Sequence, residues 1–220
     1  MRLLVKYAAA EAFQSVPWSL SRAAYTNVSF SVAAQSGTPE DVAFKTDGTK
    51  VYVLDNIGSV FQYSLSPAWN ISTASYDSVS FSVAAEETIP QGLAFKSDGT
   101  KMYVVGKGSD TVYQYSLTAW DLSTASYDSV SFSVLTEEAN PTSLAFKSDG
   151  TKMYVVGISG DKVFQYSLST AWNISTASYD SVSFSVAGQD SEPTGLALKS
   201  NGTKMYVVGN SSDTVYQYSL

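Results

Sequence analysis

The chain of 220 residues contains no cysteine and no histidine, and its formal net charge is −7. Without cysteine it has no disulfide framework, thiolate nucleophile or cysteine-ligated zinc site, and without histidine it lacks the commonest general base and metal ligand. The acidic balance argues against a nucleic-acid partner, because phosphate binding needs clustered lysine and arginine. No apolar run approaches the roughly 20 residues of a membrane-spanning helix, so we expect no membrane insertion.

Residues 1–16 differ from the rest of the chain, which is repetitive from residue 17 onwards. We predict that they form an arm or cap in front of a single domain over residues 17–220. Lys6 and Glu11 interrupt the first apolar stretch, unlike the continuous apolar region of a signal peptide, so we expect this segment to be retained.

The repeat is clearest in residues 93–117, LAFKSDGTKMYVVGKGSDTVYQYSL, and it recurs from residues 42, 144 and 196. Asp47, Asp98, Asp149 and Asn201 occupy one equivalent position and set a period of about 51 residues. A fixed period of this size indicates a repeat architecture. The domain is therefore predicted to contain four repeats.

Each repeat contains four strand signals, which in the second repeat cover residues 93–95, 101–106, 111–117 and 128–134. Asp98-Gly99 favours a tight hairpin between the first two strands, because glycine tolerates a positive φ. In the fourth signal Val130 and Phe132 alternate with serines, which is typical of a half-exposed outer strand. The first three signals are more continuously apolar, as expected of strands buried on both faces.

Four antiparallel strands in each repeat predict an all-β fold, a four-bladed β-propeller with four-stranded blades. A β-solenoid also has a fixed period, but its repeat is usually shorter and lacks such hairpins. The chain begins with a fourth-strand sequence at residues 27–32 and its last repeat stops after a third strand. We therefore expect the N-terminal strand to complete the last blade and close the ring. Two chains sharing an eight-bladed ring are the alternative.

The pattern PxxLAFKSDGTKMYVVGxxxDTVYQYSL resembles the blade of YVTN-type propellers, the lactonase-like relatives of WD-repeat proteins, over residues 26–220. The resemblance implies the fold and leaves the function open, because such propellers serve as enzymes, lectins, surface proteins and scaffolds. Similar DGTKMYVVG arrays occur in predicted phage virion and bacterial surface proteins. This similarity implies an extracellular, cell-surface or virion-associated location.

The four-to-one and two-to-three connections vary between repeats and, in a propeller, open on one side of the ring, which we call the loop face. They contain Lys107 and Lys162 against twelve acidic residues. Loops on a rigid scaffold commonly carry recognition, so this face is predicted to bind a glycan or a protein partner. The twelve candidate residues are Glu40, Asp41, Asp55, Glu86, Glu87, Asp110, Glu137, Glu138, Asp161, Asp190, Glu192 and Asp213.

Calcium is the candidate ion for this face, since Ca²⁺ takes six to eight oxygen ligands. No other cofactor is expected. A solvated acidic surface that keeps the protein in solution is the alternative to a specific site.

No motif sets out a catalytic pair, and each blade offers nearly the same groups, so we predict a non-enzymatic binding module with no catalytic residue. One alternative is a structural module of a virion or surface appendage, with residues 1–16 as the attachment arm. The other is a metal-dependent lactonase or glycosidase. The chain is expected to be a monomer or a homodimer.

The four tryptophans share one position in the repeat: Trp18, Trp69, Trp120 and Trp172. They suit either packing between blades or a stacking platform for sugars. Their regular place beside a tyrosine seven residues later favours packing between blades.

Overall fold

The computed structural model describes residues 25–220. Within this range fifteen β-strands form four antiparallel sheets. Blade 1 comprises β1 (Pro39–Phe44), β2 (Lys50–Asp55), β3 (Ser59–Ser64) and β4 (Ser75–Ser82); blade 2 comprises β5 (Pro90–Phe95), β6 (Lys101–Gly106), β7 (Thr111–Thr118) and β8 (Asp121–Ser133); blade 3 comprises β9 (Pro141–Phe146), β10 (Lys152–Gly157), β11 (Lys162–Leu168) and β12 (Ala177–Ser185); blade 4 comprises β13 (Pro193–Leu198), β14 (Lys204–Gly209) and β15 (Thr214–Ser219). Short 3₁₀ turns at Ile71–Thr73 and Ile174–Thr176 precede β4 and β12.

Consecutive strands pair within each blade, and the first strands of successive blades pack on one another, β1 on β5, β5 on β9 and β9 on β13. The first strands therefore lie innermost, around a common axis. This arrangement is a four-bladed β-propeller and confirms the predicted fold class, but among the described residues β15 pairs only with β14, so the predicted closure by residues 27–32 is not formed. In the part of the chain that the structure describes, no helix is long and apolar enough to cross a membrane.

The hairpin between the first and second strands depends on its glycine for two reasons. Gly99 has a φ of 72°, which side chains rarely adopt. A Cβ atom there would also lie 2.4 Å from the ring of Trp120. The Asp98 carboxylate accepts a hydrogen bond from Thr100 N at 3.0 Å, and this hydrogen bond stabilises the turn around Gly99.

A bulge bends each fourth strand toward the third. In blade 2, Tyr115 pairs with Tyr127 and Gln114 with Val130, so two residues are left between these pairs, and one of them, Ser129, has a φ of 57°. The bend presents Asp128 to the Lys101 ammonium and the Gln114 amide, both at 2.8 Å. Burial raises the pKa of Asp128, but these hydrogen bonds outweigh it and leave the pKa below its usual value.

Apolar side chains fill the spaces between blades. We call the side of a blade that faces the following blade its back face, and the side that faces the preceding blade its front face. Tyr52, Leu54 and Val60 on the back face of blade 1 pack against the front face of blade 2, which presents Leu93, Met102, Val104 and Tyr115. Equivalent clusters join blade 2 to blade 3 and blade 3 to blade 4. The hydrophobic core thus lies between sheets.

Trp120 and Trp172 confirm the prediction of packing between blades. Trp120 is buried, lies 5.4 Å from Phe95 of its own blade and 6.1 Å from Tyr52 of blade 1, and its carbonyl oxygen accepts a hydrogen bond from the Tyr52 hydroxyl at 2.6 Å. Trp172 repeats this arrangement between blades 2 and 3. Trp69 is 60% exposed. Trp18 and the predicted arm or cap at residues 1–16 lie outside the described residues.

Residues 25–32 form no strand, but two of them match residues of a fourth strand in backbone angle and ring packing. Asn27 has a φ of 58°, matching Ser129 at the bulge of β8. The Phe30 ring lies 5.4 Å from Tyr63 of blade 1, as Phe81 of β4 lies 5.5 Å from Tyr115 of blade 2. The segment therefore stands in front of blade 1 where the outer strand of a preceding blade belongs.

Candidate functional site

The two variable connections of each blade lie side by side at one end of its sheet. In blade 2, Glu87 of the four-to-one loop accepts hydrogen bonds from Gly108 N at 2.9 Å and from Ser109 N at 3.2 Å, both in the two-to-three loop. Its carboxylate also accepts from the Ser109 hydroxyl at 2.5 Å and from Ile89 N at 2.9 Å. Glu87 is fully buried and joins the two loops.

In blades 3 and 4 a buried carboxylate joins the two loops in the same way. Glu138 accepts from Asn140 N and Ser159 N, both at 2.9 Å. Asp190 accepts from the hydroxyls of Ser211 and Ser212 and from two backbone N–H groups. Burial raises the pKa of Asp190, but these hydrogen bonds lower it more, so that the pKa is about 2.

Blade 1 also joins its two loops through a buried carboxylate, but here the carboxylate follows the second strand and the hydroxyl lies in the four-to-one loop. Its carboxylate belongs to Asp55, at the end of β2, and accepts from the hydroxyl of Ser36 in the four-to-one loop. Asp55 also accepts from Ile57 N at 2.7 Å. The equivalent of Asp55 in blade 2 is Gly106, where a Cβ atom would lie 2.6 Å from the Glu87 carboxyl carbon.

Four of the twelve predicted binding residues are therefore corrected. They are buried and their oxygens are used by their own loops, so they do not project toward a ligand. These four are Asp55, Glu87, Glu138 and Asp190.

The other eight acidic residues lie closer to solvent. Glu40, Glu192 and Asp213 are exposed, and Asp41, Glu86, Asp110, Glu137 and Asp161 are partly buried. The Oδ1 atoms of Asp110 and Asp161 are buried and have no hydrogen-bond partner among the described residues. Burial, followed by the charges of Glu87 and Glu138, raises the pKa of Asp110.

Asp41 stands apart because only blade 1 has a carboxylate at this position. It lies on the innermost strand and bridges two blades: Oδ2 accepts from Leu93 N of blade 2 and Oδ1 from Val42 N, both at 2.7 Å. Burial raises the pKa of Asp41 to about 6, although both hydrogen bonds lower it. Blade 3 has Ser143 here, whose hydroxyl accepts from Leu196 N at 3.3 Å. The sequence already shows that the other repeats lack a carboxylate at this position. It does not show the burial and the hydrogen bonds of Asp41.

No calcium ligands can be assigned from this geometry. Among residues 25–220 no group of three or more acidic side chains is arranged to hold a metal ion. The carboxylates are distributed one blade at a time, and those at the loop junctions already have their hydrogen-bond donors.

No protein-family model and no curated protein matches the chain. Solved structures do. A proposed 6-phosphogluconolactonase from Bacteroides uniformis is 14% identical, with a TM-score of 0.56, over 81% of this chain and 52% of that one. The periplasmic gluconolactonase of Pseudomonas aeruginosa is 16% identical, with a TM-score of 0.56, over 82% and 49%. A chain of the mitotic checkpoint complex is 12% identical, with a TM-score of 0.55, over 83% and 49%.

These matches confirm the resemblance to lactonase-like propellers at the level of the fold. The chain spans about half the length of these three solved structures. The prediction that the chain is not an enzyme is wrong as an exclusion, because the solved structures that share its fold include a gluconolactonase. At such identities the likeness extends to the fold alone, and the fold hosts several functions. The protein has the fold of the lactonase-like β-propellers.

Proposed function

We propose that this protein binds a sugar-derived ligand through the accessible part of its loop face. The observation that supports the proposal is the division among the acidic side chains. One buried carboxylate in each blade joins the two loops, as Glu87 does, while the variable residues beside it remain accessible. A rigid loop framework with variable polar side chains is the usual arrangement of a recognition surface. The candidate residues are the exposed Glu40, Glu192 and Asp213 and the partly buried Glu86 and Glu137.

Charge narrows the class of ligand. Carboxylates accept strong hydrogen bonds from hydroxyl and ammonium groups, and a surface with twelve acidic residues and two lysines repels anions. The expected ligands are therefore neutral sugars or amino sugars. Phosphorylated and sulfated sugars are expected to bind poorly.

A glycan array probed with the labelled 220-residue chain tests this proposal, once with Ca²⁺ and once with a chelator. The double variant Glu40→Gln/Glu192→Gln should bind a glycan identified on the array at least tenfold more weakly than the parent does. The matched control Asp47→Asn/Asp149→Asn removes two exposed charges from the opposite side of the ring and should leave binding unchanged. A blank array, or equal losses in both variants, would reject the proposal. Loss of binding in chelator would add calcium to the site.

Lactone hydrolysis is a second candidate, favoured by Asp41. A carboxyl group with a pKa near 6 is suited to act as a general base close to neutral pH. In such a reaction the Asp41 carboxylate takes a proton from water while the water oxygen attacks the lactone carbonyl. The ring C–O bond then breaks, the alkoxide receives the proton, and the product is a sugar acid.

The assay for this activity compares gluconolactone with its phosphorylated form below neutral pH, where uncatalysed hydrolysis is slow. Asp41→Asn should abolish catalysis, yet its amide oxygen still accepts from Leu93 N. Ser143→Ala is the control for the loss of a bridge between blades, because it removes the equivalent hydrogen bond between blades 3 and 4 without removing a base, and it should leave the rate unchanged. A parent rate equal to the uncatalysed rate, or an active Asp41→Asn variant, would reject this candidate.

A structural role in a virion or surface appendage, and the extracellular or surface location, stay predictions from the resemblance. The structural role depends on residues 1–16 as an attachment arm, and this segment lies outside the described residues.

A further inference from the structure

The back face of blade 4 is uncovered. Val208 and Val215 are 37% and 51% exposed, whereas Val105 and Val112, at the same positions in blade 2, are fully buried by blade 3. Within residues 25–220, β13 packs on β9 and has no comparable contact with β1. Blade 4 therefore presents the same apolar surface that the inner blades bury.

The front face of blade 1 is open at its innermost strand. Val42 is 54% exposed, whereas its equivalent Leu93 in blade 2 is 5% exposed. Among the described residues, the apolar cluster on this face consists of blade 1 side chains and Val32 of residues 25–32; its buried members are Val51, Val53, Tyr63 and Leu65. This face is half of the kind of interface that joins the other blades.

The edges of the two faces are complementary too. Among the described residues β15 pairs only with β14, so blade 4 presents an open edge strand. Residues 25–32 correspond in the repeat to a fourth strand and lie in no sheet. Lys204 donates to Ser219 at 2.9 Å, whereas its equivalent Lys101 also binds Asp128 of a fourth strand.

Blade 4 also has an empty groove where the inner blades hold a tryptophan. The groove, of about 500 Å³, is lined by Tyr154, Leu198 and Gly202, among others. A Cβ atom on Gly202 would meet no atom of residues 25–220 within 4 Å, whereas one on Gly99 would lie against the ring of Trp120. The repeat alignment assigns the corresponding tryptophan to the sequence just before residues 25–32.

We propose that two copies of this chain join head to tail into an eight-bladed ring. The front face of blade 1 in each copy covers the back face of blade 4 in the other. Residues 25–32 of one copy pair with β15 of its partner and complete that blade. Such an interface is heterologous, since it joins two different surfaces, and it forms a closed ring if the second copy returns to the first.

The comparisons favour a second copy over closure of the four blades on themselves. This chain superposes over 81% and 82% of its length on 52% and 49% of two longer solved propellers. The rotation from one blade to the next is therefore that of a larger ring, and the four blades span only part of it. Eight blades lie within the usual range for propellers.

An engineered disulfide decides which copy supplies the strand, because the chain has no cysteine of its own. The register of β3 with β4 pairs Phe61 with Ser80, which corresponds to Tyr216 and Ser29 across the proposed contact. The variant Ser29→Cys/Tyr216→Cys should form a covalent dimer at twice the 23.6 kDa of the chain on a non-reducing gel. A disulfide within one chain, or no disulfide, would overturn the proposal.

Light scattering of the full chain provides the second test, with the dimer mass expected. Val42→Asp and Val215→Asp should each give smaller species, whereas Ile57→Asp, at an exposed loop residue, should not. Mixing the first two variants should restore a dimer, because one copy retains an intact front face and the other an intact back face. A parent monomer, polymers beyond two copies, or failure to restore the dimer would each refute an eight-bladed ring.

Discussion

Asp55 and Glu87 occupy the same junction in blades 1 and 2, although Asp55 ends a second strand and Glu87 belongs to a four-to-one loop. Each is buried and accepts a backbone hydrogen bond from the two-to-three loop of its blade, Asp55 from Ile57 N and Glu87 from Gly108 N. A buried carboxylate is stable only when donors surround it. The junction therefore needs one carboxylate, and either side can supply it.

Exchanging the partners in blade 1 should therefore be tolerated better than either single change. Ser36→Glu places two carboxylates together, and Asp55→Gly leaves Ser36 and Ile57 N without their acceptor. Each should lower the free energy of unfolding by about 1–3 kcal/mol. The double variant copies blade 2 and should recover most of that loss, with a coupling energy of about 1–3 kcal/mol in urea titrations. Simple additivity would contradict a shared site.

Truncating the aromatic stack between blades 1 and 2 should be strongly destabilising. Trp120→Ala should lower the free energy of unfolding by about 3–5 kcal/mol, because the indole is buried between two rings. Tyr52→Phe keeps the stack and removes only the hydrogen bond to the Trp120 carbonyl, so it should cost about 0.5–1.5 kcal/mol. Equal effects in thermal melts would show that the ring contributes little.

Two lysines of one hairpin should differ sharply in importance. Lys101→Met leaves the largely buried Asp128 without its cation and should cost about 1–3 kcal/mol. Lys96→Met removes a pair with Asp98 that is half exposed, which should cost no more than about 0.5 kcal/mol. Denaturant unfolding of both variants measures the difference. A larger loss for Lys96→Met would reverse this ranking.

Asp41 should make the protein less stable as the pH rises. Its folded pKa of about 6 lies above the ordinary value of 3.8, so between these pH values the folded state binds more protons than the unfolded state. Stability from this group is fully present below the unfolded pKa and is lost as the pH rises through the folded pKa. Between about pH 4 and about pH 7, the free energy of unfolding of Asp41→Asn should rise by about 2–3 kcal/mol relative to that of the parent. A difference that stays constant with pH would show that Asp41 titrates normally.

Repetition is why so much of the fold could be predicted. Gly99 and Val130 with Phe132 already mark the turn and the outer strand in one repeat, and the other copies repeat the signal. The predicted start of the fourth strand was less accurate in blade 2, where β8 begins at Asp121. The bulge at Ser129 was not predicted, because a serine with a positive φ has no distinctive sequence signal.

The candidate site was predicted less well because charge was taken as a sign of exposure. Glu87 and Glu138 look like surface residues in the sequence, and only the loop N–H groups around them show why they are buried. A comparison of the repeats contains a hint of this junction. Where blade 2 has Gly106 and Glu87, blade 1 has Asp55 and Ser36, so the carboxylate moves from one side of the junction to the other.

Strand periodicity and turn residues are local signals that recur in each copy, so the all-β propeller, its four repeats and the face that carries its variable loops can be predicted from the sequence. The burial of individual carboxylates, the exposed valines of the terminal blades and the raised pKa of Asp41 become visible only in the folded protein. These properties depend on donors, apolar surfaces and burial supplied by residues distant in the chain.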